Sequence, residues 1–154
     1  MTKKMQLTEA LKLKEQVEEI LDLHFEQRYQ VKDMTEYRNH CNTIDELNIQ
    51  LTLIKDEIQK KNLKVPFRGT SNNARIYKLS NLAKEKKFYE SLCTGRKPKT
   101  CKVITKDAAE ARIKILNREM AEMQEQLTEF NKNTKVKIEL KPILYTTGIL
   151  KNED

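Results

Sequence analysis

The sequence predicts a mainly α protein: an antiparallel helical hairpin or bundle with coiled-coil seams and a short C-terminal β-like tail. Three observations carry that expectation. Tyr37, His40, Ile44, Leu47, Leu51, Ile54 and Ile58 recur at alternating spacings of three and four residues, the period of a helix presenting one narrow stripe to a partner helix. The same rhythm returns at Ala109, Ile113, Leu116, Met120, Met123, Leu127 and Phe130. After Asn131 the texture changes to a period of two. The two seams are expected to pair antiparallel. Because thin stripes on long helices cannot all be buried inside one short chain, self-association through a seam is expected as well.

The first helix is expected over residues 8–31, with Ala10, Leu13, Val17, Ile20 and His24 on its stripe and Leu7, Leu11, Leu21 and Phe25 widening the apolar face. Lys32-Asp-Met-Thr35 reads as a turn, with Thr35 as the N-cap of a second helix over 36–61. Thr43-Ile-Asp-Glu46 offers an alternative start, but the seam already includes residues upstream of it. Asn62 to Gly69 contains Pro66 and reads as an extended connection. Thr70-Ser-Asn-Asn73 supplies caps for a third helix over 72–94, with Ile76, Leu79, Leu82, Ala83, Tyr89 and Leu92 as its stripe and Gly95 as its stop. Thr105 and Asp107 open a fourth helix over 106–131, with negative charge where the helix dipole favours it. These helices make residues 1–131 one bundle. Residues 132–154 form an extended or β-hairpin tail, in which Val136, Ile138 and Leu140 share one strand face and Ile143, Tyr145 and Thr147 supply a second alternation. The tail is expected either to await a partner or to pack on its own bundle.

Composition agrees with solvated helices rather than a thick α/β core: charged residues reach 34%, and there is no Trp. No apolar run approaches the roughly 20 residues of a membrane span. The first residues turn amphipathic at once, and the three cysteines are too few and too odd in number for a secreted disulfide framework. A cytoplasmic location is expected, or the host cytoplasm for a phage-encoded chain.

Motifs for catalysis are missing. The three glycines stand alone, so no phosphate-cradling loop is present, and neither a nucleophile elbow nor a metalloprotease helix is found. His24 and His40 both fall on helix stripes, where a polar residue more often sets register than catalyses. His40 adjoins Cys41, but the two histidines and three cysteines lack the spacing of a zinc site. The expectation is a protein that is not an enzyme and carries no metal or cofactor.

Charge is more informative. Residues 60–106 hold fourteen Lys and Arg against two acids, Glu85 and Glu90, a net of +12 in a chain whose total is +7. Lys60, Lys61, Lys64, Arg68, Lys84, Lys86, Lys87, Arg96, Lys97, Lys99 and Lys102 are the candidate contacts to an anion or nucleic acid. Phe67, Tyr77, Phe88 and Tyr89 lie among them and are able either to stack on bases or to close the core.

The opening Leu7-Thr-Glu-Ala-Leu-Lys-Leu-Lys14 resembles the start of the septicolysin-like family of small uncharacterised helical bacterial proteins. The order of a long hairpin, a shorter helix from Tyr77 to Leu92 and a final long helix is similar too. The resemblance implies a helical fold and transfers no catalytic residue, and a Trp-containing ending typical of that family is replaced here by Phe130-Asn-Lys-Asn-Thr-Lys-Val-Lys-Ile-Glu139. A small phage-encoded helical protein shares this look. The leading functional expectation is a non-catalytic interaction protein that binds a protein partner or itself through its heptad faces. The alternative is nucleic-acid binding through residues 60–106.

Overall fold

The computed structural model of the protein describes residues 1–64, 66–93 and 101–152. In chain order the elements are β1 (Thr2–Gln6), α1 (Leu7–Gln27), a 3₁₀ turn at Arg28–Gln30, α2 (Met34–Lys64), β2 (Pro66–Phe67), β3 (Thr70–Ser71), α3 (Asn72–Ser91), α4 (Lys106–Asn133), β4 (Lys135–Glu139) and the single turn α5 (Ile143–Thr146). The fold is mainly α with a short β component, as the sequence predicts. The chain divides into two units: residues 1–62 with 131–154, and residues 63–130. This division differs from the expected bundle of 1–131 with a separate tail.

In the first unit α1 and α2 form an antiparallel hairpin, marked by Glu18 with Lys55 at 3.4 Å and His24 with His40 at 2.9 Å. The cap of α2 is Asp33, not Thr35. Its carboxylate accepts from the Glu36 N–H, and the Glu36 carboxylate accepts from the Lys32 N–H, both at 2.9 Å. The helix then runs unbroken through Thr43. Leu7, Ala10, Leu13, Val17 and Leu21 of α1 are buried with Ile44, Leu47, Leu51, Ile54 and Ile58 of α2.

The seam of α2 therefore holds from Ile44 onward. Tyr37 stays 39% exposed and His40 is half-buried, because the stripe reaches them only near the turn.

The tail is neither a hairpin nor a detached segment. β4 pairs antiparallel with β1, in a register running from Thr2 opposite Glu139 to Gln6 opposite Lys135. Leu7 N–H donating to Thr134 C=O at 2.7 Å and Leu140 N–H donating to Met1 C=O at 2.6 Å close the ribbon at its two ends. Val136, Ile138, Leu140, Ile143 and Leu144 are all buried. At roughly 1.5–3 kcal/mol for each fully buried side chain, this segment contributes as much as a core helix.

Gln50 ties it down. The side chain, 0% exposed, donates through Nε2 to Glu139 C=O at 2.9 Å and accepts at Oε1 from Lys141 N–H at 2.6 Å. An amide side chain here takes the place of a neighbouring strand's peptide group.

In the second unit α3 and α4 are also antiparallel, with Arg75 on Gln126 at 3.1 Å and Glu85 near Arg112 at 3.9 Å. Ser71 and Thr105 cap them by accepting from Ala74 and Ala108 N–H. Ala109, Leu116, Leu127 and Phe130 are buried, while Ile113, Met120 and Met123 are half-buried. The two heptad seams thus lie on helices whose partners belong to their own units, α1 for α2 and α3 for α4. The expected helix stop at Gly95 lies outside the described residues.

The connection predicted as extended is a miniature hairpin. β2 and β3 pair through a two-residue turn at Arg68 (φ 49°) and Gly69 (φ 78°), both left-handed as a type I′ turn requires.

Candidate interaction surfaces

The formal charge is unevenly shared. Residues 63–130 hold fifteen Lys and Arg against eight acids, so the second unit carries +7, the whole net charge of the chain. The first unit, with fifteen of each, is neutral. Lys60 and Lys61, expected to join the basic patch, belong to the first unit. Lys60 is engaged by Glu57 at 2.8 Å, a hydrogen bond that raises its pKa.

Within the second unit the predicted cations separate by what they touch. Arg68 pairs with Glu129 at 3.0 Å, and Lys86 with Glu90 at 3.5 Å. Lys64, Lys84, Lys87 and Lys102 are exposed, and among the described residues no ion pair engages them. Arg96, Lys97 and Lys99 lie outside the described residues.

The β-hairpin is built around a buried cation that the sequence reading passed over. Arg75 is 3% exposed and donates to the carbonyls of Phe67 and Thr70 as well as to Gln126. Its guanidinium lies 4.9 Å from the centroid of the Phe67 ring, and Arg68 lies 5.3 Å from it. Phe67 in turn meets Phe130 edge-on at 6.1 Å. Burial first, and Arg68 second, lower the Arg75 pKa, although a guanidinium keeps its charge at any ordinary pH. Arg75 and Phe67 are therefore structural: they clasp the hairpin to α3 and α4.

The outer face of α3 is different. Tyr77 is 64% exposed and Phe88 49%. They are eleven residues apart, three turns of helix, so they lie on one side at a separation of about 16 Å along the axis. Asn81 and Lys84 fall between them on the same side, and Lys87 flanks it. Leu82 and Arg75 occupy the opposite, buried side. Phe88 meets its neighbour Tyr89 edge-on at 5.0 Å. The aromatic quartet thus divides: Phe67 closes the core and Tyr89 is half-buried, while Tyr77 and Phe88 are presented outward. Glu85, the acid nearest this face, is drawn toward Arg112.

The two histidines of the chain meet each other. Their Nδ1 atoms are 2.9 Å apart and their ring centroids 5.1 Å apart, so the rings point nearly head to head. As a hydrogen bond, one nitrogen donates and the other accepts, according to the tautomer of each ring. An open cleft of about 460 Å³ beside His40 is lined also by Gln27, Gln30 and Glu36. Among the described residues no group of three or more metal-ligating side chains occurs. Cys41, Cys93 and Cys101 are half-buried free thiols, and the Cys93 Sγ lies 3.8 Å from Lys106 C=O. No described helix is long and apolar enough to cross a membrane.

No protein-family model matches this chain, and neither does any curated protein or solved structure.

Proposed function

We propose that this protein is a non-catalytic nucleic-acid-binding module that holds single strands on the outer face of α3. The observation that carries the reading is the solvent-facing line Tyr77, Asn81, Lys84 and Phe88 in the unit that bears the whole net charge. Exposed aromatic rings among unpaired lysines are the combination that single strands require. Lysines track the phosphates, and each stacked base contributes about 1–3 kcal/mol without any demand on sequence. The heptad-face reading has less support, since Ile44, Leu47, Leu51, Ile54, Ile58, Leu116, Leu127 and Phe130 are buried within the chain and present little to a partner. A cytoplasmic setting goes with this reading, in keeping with three cysteines present as thiols.

The test is fluorescence anisotropy of labelled single-stranded DNA and RNA, and of a duplex, across a salt series. Single strands are expected to bind best, with affinity falling steeply between about 50 and 200 mM salt as counterions are released. Lys84→Glu is expected to reduce both affinity and salt slope, and Tyr77→Ala with Phe88→Ala to weaken binding while leaving the slope unchanged. Absence of single-strand binding at low salt refutes the proposal.

A further inference from the structure

The β1–β4 ribbon has two edges, and they are treated differently. The end pairs Met1 with Leu140 and Leu7 with Thr134 are hydrogen-bonded pairs, so the odd-numbered residues of β1 turn their main-chain groups toward β4. Thr2, Lys4 and Gln6 turn theirs outward. On the β4 side the outer edge is covered, because Gln50 bonds to Glu139 C=O and Lys141 N–H. On the β1 side the Gln6 N–H is met by the Glu9 carboxylate at 3.3 Å. Among the described residues no hydrogen bond engages the outward main-chain groups of Thr2 or Lys4. The edge is open over the length of a short peptide strand.

Acids near that edge are already engaged: the cleft beside Thr2 is lined by Leu53, Glu57, Lys137 and Glu139, and its two carboxylates are held by Lys60 and Lys141. Lys4 sits opposite Lys137 on the solvent face of the ribbon, while Glu139 beside them is held by Lys141 at 2.8 Å, a contact that lowers its pKa. On the other face a cleft of about 600 Å³ is rimmed by Lys3 and Lys151 over Leu140, Tyr145 and Leu150. Lys3 shares the core face with Met5 and yet remains exposed. A lysine placed so at a strand edge discourages indiscriminate pairing.

We propose that the outer edge of β1 accepts an extended acidic segment of a protein partner as a third strand. Main-chain hydrogen bonds to Thr2 and Lys4 would supply the pairing, and carboxylates alternating along the segment would meet Lys4 and Lys137 on one face and Lys3 and Lys151 on the other. A second copy of this chain fits poorly. Antiparallel pairing of two β1 edges about Lys4 sets lysine directly against lysine, which is destabilising. The site lies in the neutral first unit and is independent of the α3 surface.

The experiment uses the full ¹⁵N-labelled chain, titrated with a peptide of about eight alternating Glu and Val residues and with its Lys and Val counterpart. The acidic peptide is expected to shift the Thr2, Lys4 and Gln6 amides, slow their exchange with solvent and bind roughly tenfold tighter than the basic one. Lys4→Pro deletes an outward N–H without touching the β1–β4 ladder, so it is expected to reduce binding roughly tenfold at an unchanged thermal midpoint. Lys4→Glu, which keeps the N–H and reverses the charge, should weaken the acidic peptide even if the proline variant folds poorly. The proposal is overturned if the acidic peptide leaves the β1 amides unmoved, or if both variants bind it as tightly as the parent. It is also overturned if light scattering shows a dimer that Lys4→Pro dissociates, which would assign the edge to a second copy.

Discussion

Replacing Gln50 by Leu isolates the polar contact that Gln50 makes between α2 and the tail. The side chain is wholly buried and makes two hydrogen bonds, to Glu139 C=O and from Lys141 N–H. Leucine keeps the approximate volume but orphans both backbone groups. Each buried orphan costs about 1–3 kcal/mol, and because these bonds lie only partly buried the pair is placed in the lower half, about 2–4 kcal/mol. The added apolar burial returns about 1–2 kcal/mol. A net loss of about 0–3 kcal/mol follows, with the damage focused on β4. Urea unfolding measures the loss, and hydrogen exchange of the Lys141 amide locates it. Ile49→Gln, one residue away at a site 57% exposed, serves as the control and should change stability by less than about 0.5 kcal/mol. If Gln50→Leu is as stable as the parent and the Lys141 amide stays protected, the amide is not the clamp and the tail is held by apolar packing alone.

Truncation after Asn133 removes five buried side chains and, among the described residues, the only partner strand of β1, so it should abolish cooperative thermal unfolding of the first unit by circular dichroism; an unchanged melting curve would show the tail to be dispensable. Stability should fall as pH is lowered from neutral. Burial, and then His40, depress the His24 pKa below its ordinary 6.5, so the unfolded chain binds more protons. The contribution is present above pH 6.5 and is lost as pH falls toward the folded-state value. His40→Gln, which retains a hydrogen-bond partner and removes the smaller of the two causes, should reduce this dependence in denaturant titrations at successive pH values while the part due to burial remains. Gly69→Ala should cost about 1 kcal/mol by urea unfolding despite open space around the position, since the penalty is the left-handed backbone at φ 78° and not a clash. A neutral result would mean that the hairpin turn relaxes freely.

The helices were legible because each leaves a local signature. The alternation of three and four in Ile44 to Ile58 and Ala109 to Phe130, the Ser71 and Thr105 caps, and the alternation of Val136, Ile138 and Leu140 all sit within a few residues of the chain, and all are seen in the fold. The α3 surface was half legible. Tyr77, Lys84 and Phe88 were candidates by type, but only a helical projection brings them to one side, and only the structure separates them from Phe67, which type alone grouped with them.

What the sequence by itself determined is the existence and approximate span of the four long helices and the buried stripes of α1, α2 and α4, because amphipathic period and capping act over one or two turns. It did not determine the Asp33 cap, the helical turn at Ile143–Thr146 that was expected as a strand, or the buried side of α3, which holds Asn72, Arg75 and Leu82 while the expected stripe residue Ile76 is exposed. Which face meets which partner was decided by tertiary structure. The seams of α2 and α4 are interchangeable as patterns, so nothing in them states that α1 fills one and α3 the other. β1 shows no alternation of its own, burying only Met5, and becomes a strand because β4 arrives from more than a hundred residues away. Gln50 and Arg75 read as ordinary polar residues on helices, and the two histidines as register-setting polar residues on helix stripes. Their roles appear only when a carbonyl, an aromatic ring or a second imidazole is brought against them, since a buried polar group is defined by the partner that satisfies it.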